Sequence, residues 1–362
     1  MDKDKISVMK KRIEEHISKL ENKDFSMYFY VIDTKGNPSG SLSYIYDIAL
    51  GLKEMGYKVG MLHNEEEFIG VEEWMGKEYA ELPHFNVEKN SIEISPSDFL
   101  FIPEVYSNVM TATKKLPCQR VAILQNFDRM TEFIPFGAGW GDLGIFNAIT
   151  TTNLNAKRLN SYFPFVKTRV ITPKISSAFT KSDDMKKLMV NVVTRDPRDI
   201  NKIVKPFFWK YPMYKWVSFR DLRGFPKEMY AQLLRESALT IWVDEETSFG
   251  YGALEAMKSG SIVMAKTTEL AQKWMEQGDG VNLKNCCVWF DTFHESHRMI
   301  ASVVRAWITD TVPSQIQEAV NESLSMYSYE NTKESFITYV NGVLDNRKSE
   351  MQSLITTIKN KG

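Results

Sequence analysis

Short apolar runs alternate with amphipathic stretches along this chain, in two series separated by a proline-marked connection. A run that is apolar on both sides of a strand is stable only inside a sheet covered by helices on both faces. The first series comprises MYFYVID (27–33), YKVGML (57–62), DFLFI (98–102), QRVAIL (119–124) and NAITT (147–151). Between its first two members, Ile45, Ile48, Ala49, Leu52 and Met55 mark one face of a helix that ends at Gly56. The stretch RVITPKISSAF (169–179) reads as one strand and a linker. The second series is LMVNVV (188–193), YKWVSF (214–219), LTIWV (239–243), SIVMA (261–265) and CCVWF (286–290), and from about 294 onward the pattern is helical. The expectation is an α/β chain of two doubly wound parallel-sheet domains, 1–168 and 169–345, with a helical tail at 346–362 that packs back on the first. An opening amphipathic helix, with Ile6, Met9, Ile13, Ile17 and Leu20 at three- and four-residue spacing, is expected to pack on the first domain.

At 362 residues the chain has room for two such domains. Its 45 basic and 46 acidic residues nearly cancel, which gives no support to broad nucleic-acid binding. Three cysteines, Cys118, Cys286 and Cys287, form no CxxC pair and read as small buried apolar groups. Residues 1–22 are charged throughout, unlike a signal peptide, and no stretch reaches membrane-spanning length without charges. A cytoplasmic location is the expectation; association with a membrane surface has only weak support, from the opening helix. His294 and His297 in HESH lack the spacing of a zinc-binding helix and read as ordinary helix residues.

The most informative stretch is LTIWVDEETSFGYGALEAMKSGSIVMA (239–265). An apolar strand enters an acidic, glycine-containing turn, and a short helix follows from Gly250–Gly252 to Gly260. A helix that begins at the C-terminal end of a parallel strand offers backbone N–H groups and the positive end of its dipole to an anion. Glycines there let a phosphate approach the backbone closely. Glu255, about one turn inside, can accept both hydroxyls of a ribose whose phosphates sit at the helix start.

The pattern FGYGALEAMKSGSIVMA resembles the signature of retaining GT-B glycosyltransferases of family 4, where a Gly-Phe-Gly turn leads into a Leu-Glu-Ala-Met helix. Weaker likeness continues through RDLRGFPKEMYAQLLRESALTIWV and VVTRDPRDINKIV, and touches about 300 residues in all. The resemblance implies a GT-B fold of two Rossmann-like domains. It also implies transfer of a sugar, with retention, from a nucleoside diphosphate to an acceptor hydroxyl, without a bound metal. By it, Glu255 holds the ribose, and Phe249, Gly250, Tyr251 and Gly252 face the diphosphate and sugar. Residues around Val217 to Phe219 would lie near the base. Arg195 takes the family's arginine role toward the diphosphate; Asp196 stands where a basic residue is common, which leaves Arg198 or Lys202 for the lysine role. The family's second glutamate, eight positions before the ribose-binding one, is replaced here by Thr247, preceded by Glu246 and Glu245. A one-residue shift of the turn gives Glu246 the sugar-facing role; a noncatalytic GT-B partner of an active transferase is the alternative.

In the first half, TKGNPSGSLSYIYDIALGLKEMGYKV (34–59) resembles the family's first βαβ unit, with Ser39 and Gly40 at its glycine pair and Gly40 expected near the donor phosphates. Gln125 and Asn126 in AILQNFDRM, Glu104 after DFLFIP, and Trp140 in FGAGWGD are further candidates for the acceptor side, Trp140 as a sugar-stacking platform. The implied partners are a nucleotide sugar and a glycan or other hydroxyl acceptor.

Overall fold

The computed structural model describes residues 3–182, 185–247, 249–277, 287–311, 320 and 324–361. The chain divides into two compact units: Met1–Thr151 with Asn155–Ile171 and Glu330–Gly362, and Thr152–Leu154 with Thr172–Tyr329.

The first unit holds a seven-stranded sheet in the order β3-β2-β1-β4-β5-β6-β7, with every pair parallel. Its strands are β1 (Ser26–Tyr30), β2 (Lys58–His63), β3 (His84–Asn86), β4 (Phe99–Pro103), β5 (Gln119–Leu124), β6 (Asn147–Thr150) and β7 (Lys167–Val170). The helices are α1 (Lys3–Glu21), α2 (Gly40–Glu54), α3 (Glu72–Met75), α4 (Lys77–Ala80), α5 (Ser107–Ala112), α6 (Phe127–Phe133) and α7 (Asn153–Tyr162). The strand β3 was not foreseen, because three residues after a proline carry no readable alternation. The helix α1 seats Leu20 in the core, whereas Met9, expected on its buried stripe, is 47% exposed.

The second unit has a five-stranded parallel sheet, β12-β11-β10-β8-β9. It comprises β8 (Lys187–Thr194), α8 (Pro197–Lys210), β9 (Ser218–Asp221), α9 (Lys227–Glu236), β10 (Ser237–Asp244), α10 (Tyr251–Lys258), β11 (Ile262–Thr267), α11 (Glu269–Gln277), β12 (Cys287–Trp289) and α12 (Phe293–Ile308). Strand alternation sends Leu239, Ile241 and Val243 of β10 to one core with Ile203 and Phe207 of α8 and Ile300 and Val304 of α12. Trp242 goes to the opposite core, with Leu234 of α9 and Ala253, Leu254 and Met257 of α10. Cys118 and Cys287 are buried, and Cys286 lies outside the described residues, as do 312–319 and 321–323 of the stretch expected to be helical from about 294.

Two expectations need correction. The strand expected at 214–219 begins later and runs on: Pro212–Tyr214 forms a 3-10 turn, and β9 covers Ser218–Asp221. The final helix α13 (Tyr329–Lys361) does not split at 345, because Glu330 onward belongs to the first unit and Phe336, Val340 and Leu344 sit in its core.

Candidate functional site

In the second unit the chain leaves β8 toward β9 and later builds β10, β11 and β12 on the other side. A crevice opens at the carboxyl ends of strands where the order reverses, here β8 and β10. Arg195 follows β8 directly, and Asp244 closes β10. The Arg195 guanidinium donates from Nε to Asp244 Oδ2 at 3.1 Å, and its Nη1 lies 3.8 Å from Glu246 Oε2. Asp244 is nearly covered while Arg195 stays mostly exposed, so the carboxylate aims an otherwise solvated guanidinium. The structure therefore brings Arg195 and Glu246 together, and adds Asp244, whose role sequence reasoning missed.

Arg198 and Lys202, the two candidates for the lysine role, both pair with carboxylates of their own segment. Arg198 folds back on Asp196, whose carboxylate also accepts from the Arg198 amide and so caps α8; both contacts hold that carboxyl down at about 2. The cap closes the start of α8 to an outside anion. Lys202 pairs with Asp199 at 2.7 Å and lies 4.8 Å from the Phe293 ring. Lys266, at the end of β11, faces the same ring at 5.4 Å and pairs with Glu245. Nothing in the sequence pattern marked Lys266; only strand pairing brings it here.

The turn into α10 is built from Thr247 and Gly250. Thr247 Oγ1 accepts from the amides of Phe249 and Gly250 at 3.4 and 3.3 Å, while its carbonyl accepts from the Thr268 hydroxyl at 2.6 Å. The residue standing in place of the family's glutamate thus holds the turn together. Gly250 takes φ +78° as the N-cap of α10, and a Cβ there would meet the Trp242 ring at 2.9 Å. A glycine cap has no side chain to bond the first helical amides, so those of Gly252 and Ala253 are left for an incoming acceptor. A Cβ on Gly252 would press on Trp242 and Val193 at 3.2–3.3 Å.

Phe249 departs from its expected role. Its ring is 4% exposed and packs on Trp274 and Tyr251 with centroids 4.6 and 4.8 Å away, so the side chain does not face a ligand. Tyr251 is half-buried beside it. Val217 is buried and not available to a base, while the partly buried Phe219 lies edge-on to Phe207 and Phe208. Glu255 lies in the second turn of α10. Burial pushes its carboxyl up to about 7, with the Lys227 ammonium and a hydrogen bond from the Tyr230 hydroxyl pulling the other way. Both partners come from α9, and neither was recognised from the sequence.

In the first unit the order reverses between β1 and β4. Ser39, in place of a glycine, caps α2 by accepting from Leu42 N at 3.4 Å, and Gly40 opens that helix. Glu104, just past β4, is buried and accepts from Asn126 N at 2.8 Å; burial raises its carboxyl to about 7. Gln125 donates to the Ser41 carbonyl at 3.1 Å, and the Asn126 side chain caps α6. These candidates cluster at the carboxyl ends of the neighbouring strands β4 and β5. Trp140 does not join them: it is fully buried and stacked on Phe163 at 6.0 Å, a core residue and no platform for a sugar. His297 is buried in α12, and no group of metal-ligating side chains occurs among the described residues.

No known family profile matches the sequence, and no curated protein is significantly similar to it. Solved structures do match over nearly the whole chain. The pneumococcal O-GlcNAc transferase GtfA, in complex with UDP and GlcNAc, has a TM-score of 0.62 at 9% identity, covering 88% of this chain and 99% of that one. S. aureus TarM, solved with UDP, gives 0.63 at 10% identity, with 87% and 99% covered. Anabaena HepE with UDP-glucose gives 0.59 at 12%, with 88% and 99% covered. At such identities the likeness speaks to fold alone. Two parallel sheets flanked by helices, a returning C-terminal helix and these glycosyltransferase neighbours together establish that the chain has the GT-B fold.

Proposed function

We propose that this protein is a retaining glycosyltransferase that moves a sugar from a nucleoside diphosphate to an acceptor hydroxyl. The observation that carries the reading is the start of α10: a left-handed glycine cap leaves helical amides open, with Glu255 in the next turn and Arg195 at the neighbouring strand end. Such an arrangement supports phosphate binding at the helix start with Glu255 toward a ribose. The neighbours solved with UDP or UDP-glucose support a nucleotide sugar as the donor.

In this reading the bond between the anomeric carbon and the diphosphate oxygen breaks, and its electron pair leaves with the diphosphate. The acceptor oxygen bonds to the same face of that carbon and passes its proton to the departing phosphate. The growing negative charge is met by Arg195, by Lys202 and by the open amides of Gly252 and Ala253. Glu246, near Arg195, would orient the donor sugar. The first unit would hold the acceptor, with Glu104, Gln125 and Asn126 at the carboxyl ends of β4 and β5.

A thermal-shift panel of nucleoside diphosphates and their sugars, followed by product release with a crude acceptor extract, tests the reading. Stabilisation by one base, with release of the diphosphate, is expected. If no member of the panel binds, the proposal fails.

A further inference from the structure

One surface of the second unit combines positive charge with exposed large apolar groups. Residues 200–220 (INKIVKPFFWKYPMYKWVSFR) contain Lys202, Lys205, Lys210, Lys215 and Arg220 and no carboxylate, in a chain whose 45 basic and 46 acidic residues nearly balance as a whole. Lys202 is paired with Asp199, but among the described residues Lys205, Lys210 and Lys215 have no ion-pair partner. Along α8, Lys205 and Trp209 are four residues apart and share a face.

The inner side of this segment is rigid. Ile203, Phe207 and Val217 are buried; Phe207 stacks on Tyr214 at 5.9 Å and meets Phe219 edge-on at 5.5 Å. Successive turns, with Tyr211 N bonded to the Phe207 carbonyl, Tyr214 N to that of Tyr211 and Val217 N to that of Tyr214, lock the backbone over that layer. The outward side chains are consequently fixed in solvent: Trp209 is 76% exposed, Met213 64% and Trp216 58%. Three large apolar groups displayed from a tight knuckle, interleaved with lysines, are costly to leave in water and are not arranged as a pocket.

Indole rings with an apolar body and a polar N–H settle at the boundary between lipid headgroups and acyl chains. Lysine stems cover apolar surface while their ammonium groups reach anionic headgroups. Such insertion requires no matching concave partner, which suits a protruding surface. We propose that the Trp209–Trp216 knuckle docks this protein onto a membrane surface that carries anionic lipids.

Co-sedimentation of the full-length protein with vesicles of phosphatidylcholine alone, or with one third phosphatidylglycerol, tests the idea. Binding is expected only to the anionic vesicles and should weaken in high salt. Trp209→Ala with Trp216→Ala should reduce it at least tenfold. Lys205→Gln, Lys210→Gln and Lys215→Gln together should reduce it on the order of a hundredfold, at about fivefold per charge. All five positions are exposed, so melting temperature should be unchanged, and Lys10→Gln with Lys11→Gln on α1 should leave binding intact. Absence of binding to the anionic vesicles would overturn the proposal. Equal binding to neutral vesicles, or binding that ignores the knuckle substitutions, would overturn it as well.

Discussion

Glu255 has the most informative chemistry of any single residue in the candidate site. Its carboxyl, raised to about 7 by burial, is partly protonated near neutrality, whereas two ribose hydroxyls need an ionised acceptor. Nucleoside diphosphate affinity should therefore rise as pH passes through about 7 and then level off. Glu255→Gln should abolish that rise, and Glu255→Ala should weaken binding by about 1.5–3 kcal/mol. Tyr230→Phe removes a donor that favours the charged form, so it should move the midpoint upward; titration calorimetry from pH 5.5 to 8.5 reads all three. Stability runs the opposite way. From the ordinary 4.5 to about 7 the folded chain binds more protons than the unfolded one, so the ligand-free protein should lose stability as pH rises across that window. Glu104, raised to the same range, adds to the slope. At the acidic turn, Glu246→Gln should nearly abolish transfer while nucleoside diphosphate binding persists, since misplacing a reacting group costs on the order of a hundredfold. If transfer continues at the wild-type rate, Glu246 does not face the sugar. Glu255 and Arg195 could be singled out because the resemblance of FGYGALEAMKSG and VVTRDPRD to family motifs pointed to them. Asp244, Tyr230 and Lys266 were not, because each joins the site through a neighbouring strand or helix and not through its own sequence context.

The element that concentrates these residues is α10, and its position depends on the turn before it. Gly250 is constrained twice, by φ +78° and by the Trp242 ring 2.9 Å from any added Cβ. Trp242 is buried in the central strand of its sheet and cannot move aside. Gly250→Ala should thus lose the roughly 1–2 kcal/mol of a left-handed residue plus an overpacking cost of about 1–3 kcal/mol. Gly224→Ala is the matched comparison, because Gly224 has φ +76° with no atom within 4 Å of the new Cβ. Only the conformational cost should appear there. Equal drops in melting temperature for the two variants would show that Trp242 yields and that packing does not position α10. The same comparison explains what could be read from sequence at this scale. Long apolar runs such as LTIWV became β10 because nothing but a covered strand buries them. YKWVSF looked similar through its aromatic content, yet Pro212 starts a turn and Trp216 faces solvent, so pairing begins only at Ser218. FGAGWGD read as an exposed loop with a platform residue, but tertiary packing took Trp140 inside.

Across the whole molecule the chain begins in the first unit, builds the second between Thr172 and Tyr329, and returns with α13 to complete the first. That return was misplaced in the sequence reading, which divided the tail at 345, because an amphipathic helix does not state which core its apolar face meets. In the structure the Phe336 ring lies 5.5 Å from that of Phe101, and Tyr339, Val340 and Leu344 continue the same buried stripe. Lys333 pairs with Glu54 of α2 at 3.2 Å, and Arg347 donates to the Pro96 carbonyl. At about 1.5–3 kcal/mol for each fully buried large apolar side chain, these four residues contribute roughly 6–12 kcal/mol. The net stability of a domain is typically about 5–15 kcal/mol, so their loss is of the same size as the whole. A chain ending at Tyr329 should consequently fail to fold its first unit while the second, whose core residues all remain, still forms. Differential scanning calorimetry should then show one transition in the truncated chain, and that transition should move up when a nucleoside diphosphate is added. A truncated protein that melts like the full chain would show that α13 merely decorates the first unit. A truncated protein with no cooperative transition at all would show that the second unit cannot fold without the first.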